Sequence, residues 1–145
     1  MQRTCTACGK SNRIPYRHAA DAGRCGACKA TLPPPAAPIA ITSEDEFQQL
    51  IAQTSVPILV DFWAAWCGPC RAAAPEVARV AADTAGAALI VKVDTEQLPQ
   101  LASHYGVRGI PNFVVLKHGS VVRQQAGLVG HAVMARWLAD AAGSG

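Results

Sequence analysis

From residue 39 onward the apolar positions follow two periods in turn, and the switches between them mark out secondary structure. Ser43 and Glu46 form a capping-box pattern ahead of Phe47, Leu50 and Ile51, which recur at helical spacing. The run Val56-Pro-Ile-Leu-Val-Asp-Phe-Trp63 is apolar apart from Asp61 and predicts a strand over about 57–63. A helix is expected from Cys67, kinked by Pro75, whose ring cannot continue the backbone ladder. Ala88–Val93 predicts the next strand, and Leu98, Leu101, Ala102 and Tyr105 return to helical spacing. Asn112–Leu116 and Ser120–Gln125 flank Lys117-His118-Gly119 as the arms of a hairpin. Val133, Trp137, Leu138 and Ala141 mark one face of a last helix near 131–142. With Ile39–Ile41 as a short edge strand the order is βαβαβαββα, an α/β fold in which helices flank a mixed β-sheet.

The first 38 residues obey neither period. Leu32-Pro-Pro-Pro-Ala-Ala-Pro38 suits neither a helix nor a sheet interior and reads as a semi-rigid polyproline linker over 32–38, between a unit at 1–31 and a domain at 39–145. Ile14, Tyr16 and Leu32 are too few large apolar residues for a core, and a unit below about 40 residues then needs a staple. Cys5-x-x-Cys8 and Cys25-x-x-Cys28, with sixteen residues between the pairs, have zinc-ribbon spacing, and Gly9 and Gly26 sit where the tight turns of such a fold fall. Two disulfides are the alternative pairing. Structural Zn²⁺ on Cys5, Cys8, Cys25 and Cys28 is the expectation, with the unit folding only around the metal while the domain beyond Pro38 stands on its own core. His18 reads as a surface residue.

Half of the 145 residues are hydrophobic and 16% are charged, which suits a packed core and excludes general disorder. No apolar run reaches the roughly 18 residues of a membrane span, and charges and cysteines occupy the place of a signal-peptide core. An unexported, cytoplasmic protein with no membrane partner is expected, and a monomer. The net charge of +3 is unevenly spread. Residues 1–31 hold six Lys/Arg against Asp21, a net of +5, and the remainder hold seven against nine, a net of −2. Four thiolates and one Zn²⁺ would bring the first segment to +3, and without an aromatic series beside it this reads as a solvated surface rather than a nucleic-acid site.

Trp66-Cys67-Gly68-Pro69-Cys70 carries the chemistry. Two thiols one helical turn apart, where a strand becomes a helix, can open and close a disulfide. A Cys67 thiolate at the helix N-terminus gains from unpaired backbone N–H groups and the positive end of the dipole. Pro69 falls in the first turn, where its missing N–H costs nothing, and Gly68 leaves the backbone accessible beside the sulfur. A permanent Cys67–Cys70 staple, or half of a metal site, is the alternative without redox turnover. Asp61, within an apolar strand, should have a raised pKa and be suited to accepting a proton, or else sit in a buried structural pair. His104, His118 and His131 fall on polar faces or turns and receive no role.

The Cys-Gly-Pro-Cys segment with its flanking tryptophans closely resembles the active site of the thioredoxin family, and the likeness spans about 39–142. The cysteine pairs ahead of it resemble the zinc-binding extension of two-part bacterial members. The resemblance implies a thioredoxin fold with a small N-terminal zinc-ribbon-like unit and a protein-disulfide reductase. Cys67 would attack and Cys70 resolve, Asp61 would accept the Cys70 proton through a water, and Lys92 would be its partner. It implies a cis Ile110–Pro111 peptide facing the Cys67 sulfur, and a shallow substrate surface made by Trp66, Gly68, Pro69, Ile110, Pro111 and Gly127. It further implies disulfide-containing protein substrates, recharging by a flavin-dependent thioredoxin reductase drawing on NADPH, a redox-active disulfide and no bound organic cofactor. An oxidase or isomerase of the same fold, and a non-enzymatic module binding nucleic acid or protein, are the competing functions.

Overall fold

The computed structural model describes residues 1–143. Two small hairpins come first: β1 (Gln2–Thr4) pairs with β2 (Ser11–Arg13), and β3 (Gly23–Arg24) with β4 (Thr31–Leu32), with a single 3₁₀ turn at Tyr16–His18 between them. Leu32, grouped with the linker by its prolines, is instead the last residue of β4 and is buried against Cys5 and Cys25. Then follow β5 (Ile39–Ala40), α1 (Glu44–Gln53), β6 (Ile58–Trp63), α2 (Gly68–Asp83), β7 (Leu89–Asp94), α3 (Pro99–His104), β8 (Asn112–Lys117), β9 (Ser120–Ala126) and α4 (His131–Gly143). Every element expected from the apolar periods is present. The hairpin turn is two residues, His118 and Gly119, both at positive φ. Pro75 lies inside α2, which runs on to Asp83. No helix of the described residues is long and apolar enough to cross a membrane.

The five-stranded sheet has the order β5-β7-β6-β8-β9, parallel through β5, β7 and β6 and antiparallel from β6 to β9. Central β6 is buried on both faces, which is why its sequence is apolar apart from Asp61 rather than alternating. Val60 and Phe62 face a layer with Phe47 and Leu50 of α1 and Leu101 of α3. Leu59 faces the opposite layer, built on Val77 and Val80 of α2 and Trp137 and Leu138 of α4. Asp61 shares the parity of Leu59 and so lies on the side covered by α2.

The N-terminal segment packs on the domain. Ala19 and Ala20 are buried in the same cluster as Phe47 and Leu50, Met1 and Tyr16 pack against it, and the Thr54 hydroxyl at the end of α1 donates to Tyr16 O (3.4 Å). A linker made stiff by proline therefore does not hold the two parts apart. Small side chains such as alanine give no periodic signal of burial, so this contact was invisible in the apolar pattern.

Candidate functional site

Cys67 is the N-cap of α2, with extended backbone, and its Sγ accepts the Cys70 N–H at 3.1 Å. Gly68 and Pro69 open the helix, Pro69 in the position where no N–H is required. Cys67 and Cys70 are joined as a disulfide with their Cα atoms 5.2 Å apart. Both are largely buried, and with Ala64 they form a small cluster against which Trp63 and Ile110 pack.

The loop before β8 approaches from the other side. Ile110 O lies 3.6 Å from Cys67 Sγ, and the Ile110–Pro111 peptide is cis. Gly127, at φ +97°, donates its N–H to Pro111 O at 2.8 Å, tying the end of β9 to this loop. Trp66 is 67% exposed, the most exposed of the large apolar side chains, and its indole N–H donates to Glu96 Oε1 (2.8 Å). The fold thus brings Trp66, Ile110, Pro111 and Gly127 to the rim of the disulfide from three separate loops.

Asp61 is only 2% exposed, and its Oδ1 has no hydrogen-bond partner among the described residues. Burial pushes its pKa up to about 6, against the opposing pull of the Lys92 charge. Lys92 stands opposite Asp61 in the β6–β7 register, yet no ion pair joins the two among the described residues. Its ammonium lies over the Trp63 ring instead, 4.6 Å from the centroid, so Lys92 acts on Asp61 by field rather than by contact.

The N-terminal cysteines converge. The four Sγ atoms of Cys5, Cys8, Cys25 and Cys28 all lie within 4.8 Å of one another, with Cys5–Cys28 at 3.7 Å and Cys8–Cys25 at 3.6 Å. A tetrahedron with metal–sulfur bonds of about 2.3 Å has edges of about 3.8 Å, so the donor set fits one zinc-sized ion. All four cysteines are free thiols in the structure rather than two disulfides. His18 stands apart, paired with Asp21 (2.8 Å). The two turns are alike: Gly9 N–H donates to Cys5 O (2.8 Å), and Lys29 N–H to Cys25 O (2.9 Å). Gly9 at φ +78° and Lys29 at φ +66° take the left-handed positions. Gly26 does not, contrary to expectation, because the chain reverses after the second cysteine of each pair and not after the first.

Three polar contacts at these sites had no local sequence signal. Glu96 reaches Trp66 because β6 and β7 are neighbours. Asn12, from the first hairpin, accepts the Gly26 N–H (2.9 Å) and directs its amide nitrogen at Cys25 Sγ (3.6 Å), joining the two halves of the cluster. His131, read as having no role, pairs with Glu76 (3.1 Å) between α2 and α4.

The thioredoxin family model matches residues 38–140. Among relatives, Thioredoxin C-3 of Corynebacterium nephridii is 35% identical over 134 residues, covering 92% of this chain and 90% of that protein. Thioredoxin 1 of Nostoc sp. is 42% identical over 96 residues, covering 66% of this chain and 90% of its own. A mutant thioredoxin from Halobacterium salinarum has a similar solved structure, with a TM-score of 0.69 and 30% identity over 74% of this chain and 93% of that one. With a disulfide capping α2 beneath a cis-proline loop, and with matches of this extent, the chain belongs to the thioredoxin family of thiol–disulfide oxidoreductases, its four clustered N-terminal cysteines fitting a zinc-ribbon-like extension.

Proposed function

We propose that the protein is a protein-disulfide reductase. The observation that carries this reading is the N-cap position of Cys67, whose sulfur accepts the Cys70 N–H at 3.1 Å. In the reduced form the same N–H and the positive end of α2 favour the Cys67 thiolate, the attacking species. That thiolate displaces one sulfur of a client disulfide and forms a mixed disulfide. Cys70, losing its proton to Asp61 through a water, attacks Cys67, and the client leaves with two thiols while Cys67 and Cys70 are oxidised. A carboxylate with a pKa of about 6 is partly protonated near neutrality and suited to both accepting and returning that proton. Burial sets this value, and the Lys92 charge keeps it lower than burial alone would. Trp66, Gly68, Pro69, Ile110, Pro111 and Gly127 make the docking surface, where an extended client segment pairs with exposed backbone.

Two electrons then return through a flavin-dependent thioredoxin reductase drawing on NADPH, in the cytoplasm. Cys5, Cys8, Cys25 and Cys28 would hold Zn²⁺, which supplies a structural cross-link and takes no part in electron transfer. The full-length protein, mixed with NADPH, thioredoxin reductase and insulin, should consume NADPH as insulin disulfides are reduced. Absence of consumption with the wild-type chain, or persistence with Cys67→Ser, would overturn the reading.

A further inference from the structure

The first hairpin and the proline run enclose a cleft of about 450 Å³, remote in sequence from the redox disulfide. Ile14 gives it apolar surface over the buried Ala19 and Leu32, residues 33–37 add a stretch of proline and alanine, and β1 lines it through Gln2 to Thr4. β1 brings something an apolar depression alone would lack. Its pairing with β2 is antiparallel, with Arg3 opposite Asn12. Ile14 N–H donates to Met1 O (2.7 Å) and Cys5 N–H to Lys10 O (2.8 Å), which sets which residues bond across the hairpin. Bonded and non-bonded residues alternate along such a ladder. Met1, Arg3 and Cys5 therefore face β2, and the N–H and C=O groups of Gln2 and Thr4 turn to the other edge. That sheet has two strands, so among the described residues no third strand meets them.

A free strand edge beside an apolar wall selects its occupant. An extended peptide can take up the four backbone groups while alternate side chains enter the cleft, and a compact apolar ligand cannot. From Gln2 to Thr4 the edge accepts about three residues, roughly 10 Å of strand. Charge narrows the class further. Residues 1–31 hold six cations against one aspartate, and remain at +3 with four thiolates and a divalent ion. Arg3 lines the cleft, fixed by bonds to Ala19 O (3.0 Å) and Asp21 O (2.7 Å), and Arg13 lines an adjoining depression.

We propose that this cleft binds an extended apolar segment with acidic flanks, contributed by an unfolded client protein, as a third strand on β1. Naming the occupant a client rests on the reductase reading; the binding itself does not.

The probe is reduced, carboxymethylated α-lactalbumin, an acidic, permanently unfolded protein with no thiol or disulfide to react. In the full-length, zinc-loaded protein, saturating probe should slow amide exchange at Gln2 and Thr4 by on the order of tenfold. Thr4→Pro removes one outward donor and leaves the bonds to β2 intact; it should weaken the probe about tenfold. Ala36→Asp, on the exposed proline side of the cleft, should weaken it similarly by repelling an acidic partner. Both variants should reduce a small aromatic disulfide at the wild-type rate, a readout that reports the reductase reading separately. Unprotected Gln2 and Thr4 amides would overturn the proposal, as would equal affinity in all three proteins. So would binding abolished by salt but indifferent to Thr4→Pro, which would mark charge attraction alone.

Discussion

Replacing Asp61 by Asn should stabilise the oxidised protein by an amount that depends on pH, and the structure sets the size of that dependence. The folded chain holds the Asp61 proton to about pH 6, whereas the ordinary value is 3.8. At 1.36 kcal/mol per pKa unit, keeping the carboxylate ionised in its buried place costs about 3 kcal/mol above pH 7. The sign follows from proton binding. Between about pH 4 and 6 the folded state holds more protons than the unfolded state, so Asp61 lowers stability as pH rises and the loss levels off above 6. At pH 4.5 the same relation gives a cost of only about 1 kcal/mol. Asn removes the titration and keeps the shape. Any cost of its own unpaired amide is common to both pH values, so the difference between them, about 2 kcal/mol, is the quantity to measure. Urea unfolding of the wild type and Asp61→Asn at pH 4.5 and 7.5 reads it directly, as a midpoint gain larger at pH 7.5 by about 1 M. A gain equal at the two pH values, or larger in acid, would refute the burial argument. In turnover assays the wild-type rate should rise through about pH 6 as Asp61 ionises, and the variant should be slow and flat.

Cys70→Ser should leave Cys67 able to attack but with no thiol to resolve the product, so client proteins accumulate as mixed disulfides visible on a non-reducing gel. Metal analysis of the reduced protein should find about one zinc per chain. Because Ala19 and Ala20 sit in the main core cluster, removing the ion should lower the thermal midpoint of the whole molecule and quench protection in α1, not in the extension alone. Ala20→Asp, placing an unpaired carboxylate at a 4% exposed site, should mimic that loosening and cost about 2–4 kcal/mol in denaturant unfolding. Glu96→Ala should free the Trp66 indole and raise KM for insulin a fewfold, with kcat for a small aromatic disulfide unchanged.

The elements of the thioredoxin domain were legible because burial there is periodic. A strand covered on both faces reads as Ile58-Leu-Val-Asp-Phe-Trp63, and the Ser43 cap and the Cys67-Gly-Pro-Cys70 turn are local patterns that need no tertiary contact. The two thiol pairs were legible for the same reason, since both their spacing and their chemistry are written within four residues. What the sequence did not show is every relation that depends on two distant segments meeting. Ala19 and Ala20 carry too little apolar surface to announce their burial under α1. Asn12 bridges to Gly26 and Cys25 only once two hairpins face each other, and Lys29 takes a left-handed turn that composition assigned to Gly26. The Lys92 ammonium could pair with Asp61 or lie on Trp63, and the register of β6 against β7 allows both; packing of the indole decided for the ring. Residue type and spacing thus determined the reactive groups and the strands and helices that carry them, whereas the partners of those groups, and through them the proton affinity of Asp61, were set by the three-dimensional enclosure that removes water from around a charge.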